Sequence, residues 1–484
     1  MDKLITYLEK VKNVEYTLNL LNWDLRVSSP NDSKDDLINL ISYYDEEIFN
    51  LTTSSEYENL LKYVIDNELD NLTTLEQLYI KGLYKDLVKF RKIPSQFFVN
   101  YQKFLNRSNV MWEKAKNENN YEIFKPYLSE VIKLTKEYYS YIADGNNLYD
   151  TMLNEYEEGL TTDIIDKLFN ELKEALIPIM PKNKKVNELH VNLRKDDLID
   201  TAYYLLDYIG FDKNRGLLGI YPHGFTEKIG NNDVRIAFKY SDNPVDFVST
   251  IIHEGGHGIF EQNINPVLHK FGIVGVNGLN ALHESQSRFY ENILGRNKNF
   301  WIPIYSDVKE MLNLDVDIDE FCKYLNTPVA SLIRTEADEL TYCLHIIIRY
   351  EIERDLFNDV ISVDDLPRVW NELMMKYLEV KVDNDSDGIL QDVHWSEGEF
   401  GYFPSYLLGT IYGGCLLKAI ENNLGSVDEL LKTGNIKQIT NYLIDNIYVN
   451  GGCYNSLEVL KKLGFDKIDT KPIIDYFYKK YEEN

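Results

Sequence analysis

Residues 251–257 read Ile-Ile-His-Glu-Gly-Gly-His, and no other stretch limits the fold as much. Residues four apart on an α-helix lie on one face. A helix here lets His253 and His257 reach one metal ion, with Glu254 beside them to take a proton from a water. A five-residue match of this kind also arises by chance, so the context decides. Val245, Phe247, Val248, Ile251 and Ile252 recur at helical spacing. Asp242 or Asn243 can cap the start, and Pro244 suits the first helical position. Gly255, Gly256 and Gly258 oppose a helix, each by about 1 kcal/mol relative to alanine. A helix that keeps them is expected to be approached closely by a neighbouring element or by substrate backbone. The chemistry this pattern serves is metal-assisted peptide hydrolysis.

Charge narrows the partners. The 484 residues carry a net charge of -27. Such a chain repels phosphate backbones and anionic lipid, which sets nucleic-acid and membrane-surface roles aside. The most apolar stretch, Tyr402 to Ile420, holds Pro404, Gly409, Gly413, Gly414 and Lys418. It is too short and broken to span a bilayer. Met1 to Trp23 alternates charged and apolar residues and lacks the apolar run of a leader. Cys322, Cys343, Cys415 and Cys453 form no C-x-x-C, so free thiols in a reducing cytoplasm are expected.

Helical spacing dominates from Met1 to about Gly145. Leu37, Ile41, Tyr44 and Ile48 make one stripe; Leu75, Leu78, Tyr79, Leu83 and Leu87 make another. Leu217 to Tyr221 and Val234 to Tyr240 read as short strands joined by a turn-rich segment with Gly230, Asn231 and Asn232. Further helices are expected over about Gly278 to Leu294, Pro328 to Phe357, Leu366 to Tyr377 and Phe403 to Asn422. Asp383 to Gly388 is a loop that lacks the twelve-residue calcium pattern. The expected architecture is mainly α, with one small β-sheet beside a deep groove and the metal helix at its floor. We expect one peptidase domain over 1–484, with helices of 1–210 covering the groove and the catalytic region in 211–484.

Catalytic zinc takes three protein ligands and keeps one position open. Glu284, in Ala-Leu-His-Glu-Ser-Gln-Ser-Arg (281–288), can supply the third, and His283 is the alternative. Adjacent helical residues diverge by about 100 degrees, so only one points in. Arg334, Asp338, Thr341, His345 and Arg349 fall at offsets 0, 4, 7, 11 and 15, one face of the helix expected from Pro328. A polar stripe on a buried helix is either paired internally, Arg334 with Asp338 and Arg349 with Glu353, or lines a cavity. In a cavity an arginine fork suits a terminal carboxylate. His394 and a nearby tyrosine are suitable donors to a developing oxyanion.

These segments resemble the carboxypeptidase Taq family of metallocarboxypeptidases. His253–His257 matches its metal motif, and His283–Ser285 its H-E-S segment, which implies Glu284 as the third ligand. Ile333–Asp338 matches I-R-x-x-A-D, and Gly388–Trp395 matches G-x-x-Q-D-x-H-W. Leu21–Asp24 resembles the family's N-terminal W-D segment. Two motifs depart: H-P-F reads His223-Gly224-Phe225, and D-x-R-x-T reads Asp233-Val234-Arg235-Ile236-Ala237. The departures fall on the substrate groove and leave the metal ligands alone. The resemblance implies an all-helical gluzincin-type peptidase fold, zinc or cobalt as the metal, and a homodimer. The implied activity is release of single C-terminal residues with broad specificity and poor cleavage beside proline. A substrate ending in a carboxylate then needs a locally basic pocket in this acidic chain. Arg334 is the first candidate, with Arg235, Arg349, His223 and Tyr402 behind it. His394 and Tyr406 are the expected oxyanion donors. Asp338 and Asp392 are candidates to accept from a ligand histidine's N–H. The rival readings are an oligopeptidase that cuts internally and a non-catalytic peptide-binding relative.

Overall fold

A computed structural model describes residues 1–143, 145, 147–181, 189–191, 193–275 and 278–481. Among them the chain is mainly α-helical with one three-stranded sheet. The N-terminal third is helical as its periodicity predicts, beginning with α1 (Asp2–Val27). The Leu37 stripe lies on the helix Lys34–Thr53, where its side chains are only half-buried. No described helix is long and apolar enough to cross a membrane.

The sheet holds β1 (Gly216–Ile220), β2 (Phe225–Gly230) and β3 (Asp233–Phe238). β3 is central, parallel to β1 and antiparallel to β2. The sequence reading expects two strands here, and β2 is the third. Its polar residues conceal it. Thr226 bonds Glu254, and Lys228 bonds Glu261, so the polar face of β2 is turned onto the metal helix instead of into solvent.

That helix is α2 (Pro244–Gln262). The Asn243 side chain accepts from Val245 N at 3.0 Å, which fixes the start, with Pro244 at the first helical position. Phe247, Val248, Ile251, Ile252, Ile259 and Phe260 are all buried. Each fully buried side chain of this kind contributes about 1.5–3 kcal/mol, which outweighs the cost of the glycines.

The later helices depart from the sequence expectation at two points. α3 (Asn280–Arg288) passes directly into a π-helical stretch, Phe289–Gly295. The helix expected from Pro328 begins eleven residues later, as α4 (Glu339–Phe357). Asp338 is its cap: Oδ1 accepts from Leu340 N at 2.9 Å and Thr341 N at 3.1 Å. Arg334 therefore sits on a separate short turn, Arg334–Glu336. α5 (Phe403–Leu424) follows the sequence reading.

Two large apolar cores hold these parts together, and each draws on both ends of the chain. Leu4, Tyr7 and Leu8 of α1 share one with Phe247 and Ile251 of α2. Phe124, Leu128 and Met152 share the other with Ile346 of α4 and Leu407 of α5.

Candidate active site

The site is built where α3 lies between α2 and α5. A Cβ added at Gly256 would stand 2.8 Å from Gln286 O and 2.9 Å from Ser287 Cα, so the α2 and α3 backbones touch there. On the other side, a Cβ at Gly409 of α5 would stand 2.8 Å from Glu284 Cγ. A neighbouring element, not substrate, thus accounts for the close approach at Gly256. The start of α3 is held by Glu157, whose Oε2 accepts from Ala281 N at 3.1 Å.

Held in this way, Glu284 faces both histidines. Its Oε2 is 3.3 Å from His257 Nε2 and 3.9 Å from His253 Nε2. The three ligand atoms lie within 4.8 Å of one another. Ligands at zinc distances around a tetrahedral ion stand about 3.4 Å apart, so this set of two nitrogens and one carboxylate oxygen fits such an ion. His283, the alternative, is turned away. Its ring stacks on that of His257, centroids 4.3 Å apart, and its Nε2 is 3.2 Å from Glu261 Oε1.

The charges suit a cation. Burial opposes ionisation of Glu284, yet Arg288 and then His253 hold its pKa far below the usual carboxylate range. Burial, with His283 adding to it, takes the pKa of His257 down to about 3, so its imidazole is neutral and one ring nitrogen offers a lone pair. Burial also opposes charge on His253, but Glu284 and Glu291 outweigh it and raise its pKa.

Glu291 supplies what was expected of Asp338 and Asp392. It pairs with His253 Nδ1 at 2.8 Å and so fixes that ring's orientation. Asp338 instead caps α4, and Asp392 bridges two arginines. Glu284, Arg288 and Glu291 are spaced four and three apart, one helical face. That spacing is the signal by which Arg288 and Glu291 were findable.

Glu254 lies at the β2 edge. Its Oε2 accepts from the Thr226 hydroxyl at 2.7 Å. Burial raises its pKa, with His253 and Thr226 opposing. The Gly224 departure borders this carboxylate: a Cβ there would stand 2.7 Å from Thr250 Cγ2 and 3.0 Å from Glu254 Oε1.

The two arginines of the polar stripe converge on Asp392. Arg334 Nε donates to Asp392 Oδ1 at 2.9 Å, and its Nη1 to the Tyr342 hydroxyl at 3.0 Å. Arg349 donates from Nε to Asp392 Oδ2 at 2.6 Å, from Nη2 to Gln391 Oε1 at 2.7 Å and from Nη1 to His345 O at 2.8 Å. Its side chain is 0% exposed. Arg349 is therefore a buried strut and not a group that binds substrate, and it bonds Asp392 and Gln391 where Glu353 was expected. Arg235 is also engaged, gripping Asp233 with Nε and Nη2 at 3.0 and 2.7 Å over the Trp23 ring.

His394 Nε2 is 3.2 Å from the Tyr406 hydroxyl, and its Nδ1 has no protein partner. Burial, followed by Arg334, takes its pKa down to about 3. The Tyr402 ring lies 5.1 Å from that of Tyr406. Tyr402, the residue before α5, Tyr406 and Gly409 are spaced four and three apart, so both tyrosines fall on the side of α5 that meets Glu284. His223 is exposed beside Lys239 and Lys116. A cavity of about 970 Å³ opens between the helices Thr74–Phe90 and Leu148–Tyr156 and reaches Gly278 and Leu279, ahead of α3. None of the candidate residues lines it.

The carboxypeptidase Taq (M32) metallopeptidase family model matches residues 3–481. Carboxypeptidase 1 of Bacillus subtilis is 34% identical over 98% of this chain and 96% of its own length. Thermostable carboxypeptidase 1 of Pyrococcus furiosus is 30% identical over 99% and 98%. The crystal structure of the M32 carboxypeptidase from Deinococcus radiodurans superposes with a TM-score of 0.94 at 26% identity, covering 100% of this chain and 98% of that one. The match covers every candidate residue described above, and the chain belongs to the carboxypeptidase Taq (M32) family of metallopeptidases, which makes it a peptide hydrolase.

Proposed function

We propose that this protein is a zinc carboxypeptidase that removes single residues from the free C-terminus of peptides with broad specificity. The observation that carries the reading is the Glu284 carboxylate turned onto the Nε2 atoms of His253 and His257, with Glu254 one residue along α2. His253, His257 and Glu284 would hold the zinc ion, which would supply Lewis acidity towards a water and the scissile carbonyl. Glu254 takes the proton of the attacking water and passes it to the leaving amine. The Tyr406 hydroxyl, with His394 behind it, donates to the developing oxyanion. Arg334 receives the substrate's terminal carboxylate. Asp392 and Tyr342 engage three of its five N–H groups and leave two for that purpose. His223 and Tyr402 are assigned to the substrate side of the site, and Arg235, held by Asp233, to the sheet beside it.

Further readings rest on the family resemblance. We take the chain as one peptidase unit that works as a homodimer, with cobalt able to replace zinc. Its four free cysteines suit a reducing cytoplasm.

The test uses one peptide as free acid and as C-terminal amide. The amide removes the charge that Arg334 is built to hold, a charge-assisted contact worth about 1.5–3 kcal/mol, and kcat/KM is expected to fall about 10–100-fold or more. Mass spectrometry of the free acid should show residues leaving singly from that end. Equal rates on both peptides, with internal fragments, would instead establish an oligopeptidase.

A further inference from the structure

The two oxygens of Glu284 are not equivalent. Oε2 faces His253 and His257 and lies 3.1 Å from the Ser287 hydroxyl. Oε1 accepts from Arg288 Nε at 2.7 Å. Gly409 presses on the stem of Glu284, which leaves rotation of the carboxylate as its main freedom. Arg288 is placed to remove it. The side chain is 13% exposed, and its guanidinium lies 4.0 Å from the centroid of the Tyr342 ring. Its Nη1 is 3.6 Å from Glu291 Oε2, the oxygen that pairs with His253 Nδ1.

We propose that Arg288 is a positioning residue that confines Glu284 to ligation through one oxygen and so keeps the fourth corner of the metal open for water. The proposal rests on the metal centre set out above. A carboxylate that turned both oxygens inward would occupy two positions, and a tetrahedral ion with two histidines would then be closed. Arg288 also withdraws charge from the carboxylate, since a hydrogen bond to a charged donor is among the stronger kind. Its contact with Glu291 lets one guanidinium set the direction of a ligand and of another ligand's partner.

The test is cobalt substitution. Wild type, Arg288→Met and Arg288→Lys are loaded with Co²⁺, and visible spectra and peptide kinetics are recorded. Wild type is expected to take up one Co²⁺ and to show the intense bands of a low-coordinate site. Arg288→Met should show weaker bands, as a second oxygen enters the coordination shell, and kcat should fall about tenfold or more with KM little changed. Arg288→Lys, which keeps a charged donor in the slot, should recover part of both. Should Arg288→Met fail to fold, Tyr342→Leu removes the ring that holds the guanidinium and is expected to weaken the bands in the same direction. A wild-type spectrum and kcat in a folded Met or Leu variant would overturn the proposal while leaving the metal centre intact. No cobalt uptake by wild type would overturn both.

Discussion

Glu254→Gln is expected to fold, to keep its metal, and to lose peptide hydrolysis about 10²–10⁴-fold, the range of a general base. Glutamine has the same shape and can still accept from the Thr226 hydroxyl, so the β2 edge and α2 should stay in register. It cannot take a proton from water. Glu254 is also not among the three groups that converge on the ion position, which is why metal content should hold. The measurement is kcat on a short peptide beside metal analysis of the same sample. Wild-type turnover in the variant would place the base elsewhere or make the chain a binding protein whose hydrolysis came from a contaminant. Loss of metal would make Glu254 a ligand and require a different centre.

The second large effect is structural. Asp392→Asn is expected to destabilise the protein by about 3–5 kcal/mol, the cost of breaking a buried charge pair from one side. Burial opposes ionisation of Asp392, but Arg334 first and Arg349 next hold its pKa far below the usual range. A lowered carboxylate pKa contributes stability above the unfolded value, and that contribution is lost as pH falls through the folded value. At neutral pH it is fully present. Asparagine would leave two buried guanidiniums without their shared anion, and burial already lowers the pKa of Arg349. Denaturant unfolding at neutral pH measures the change. A loss under about 1 kcal/mol, with KM raised instead, would mean that Asp392 serves the substrate more than the fold.

The fold is legible in the sequence where local rules and packing agree. The cap at Asn243, the apolar face of α2 and the four-residue spacing of His253 and His257 all point to one helix, and the helix forms. Glu284 is a different case. The choice between it and His283 depends on how α3 is rotated, and that is set by the backbone contacts at Gly256 and Gly409, which are not local. The family resemblance supplied that choice. β2 escapes because its polar residues serve the metal helix, which inverts the pattern of a half-exposed strand. The early start given to α4 has another cause. Arg334 and Arg349 do share one target, Asp392, but a short turn delivers the first and a helix the second, so helical spacing alone misplaces the boundary.

The most direct test of the central claim is a crystal of the zinc-loaded protein, measured for anomalous scattering at the zinc edge. One peak per chain is expected, bounded by His253 Nε2, His257 Nε2 and Glu284 Oε2, with the fourth side facing solvent. A peak bounded by His283 in place of Glu284, or one elsewhere with these three side chains empty, would contradict the account.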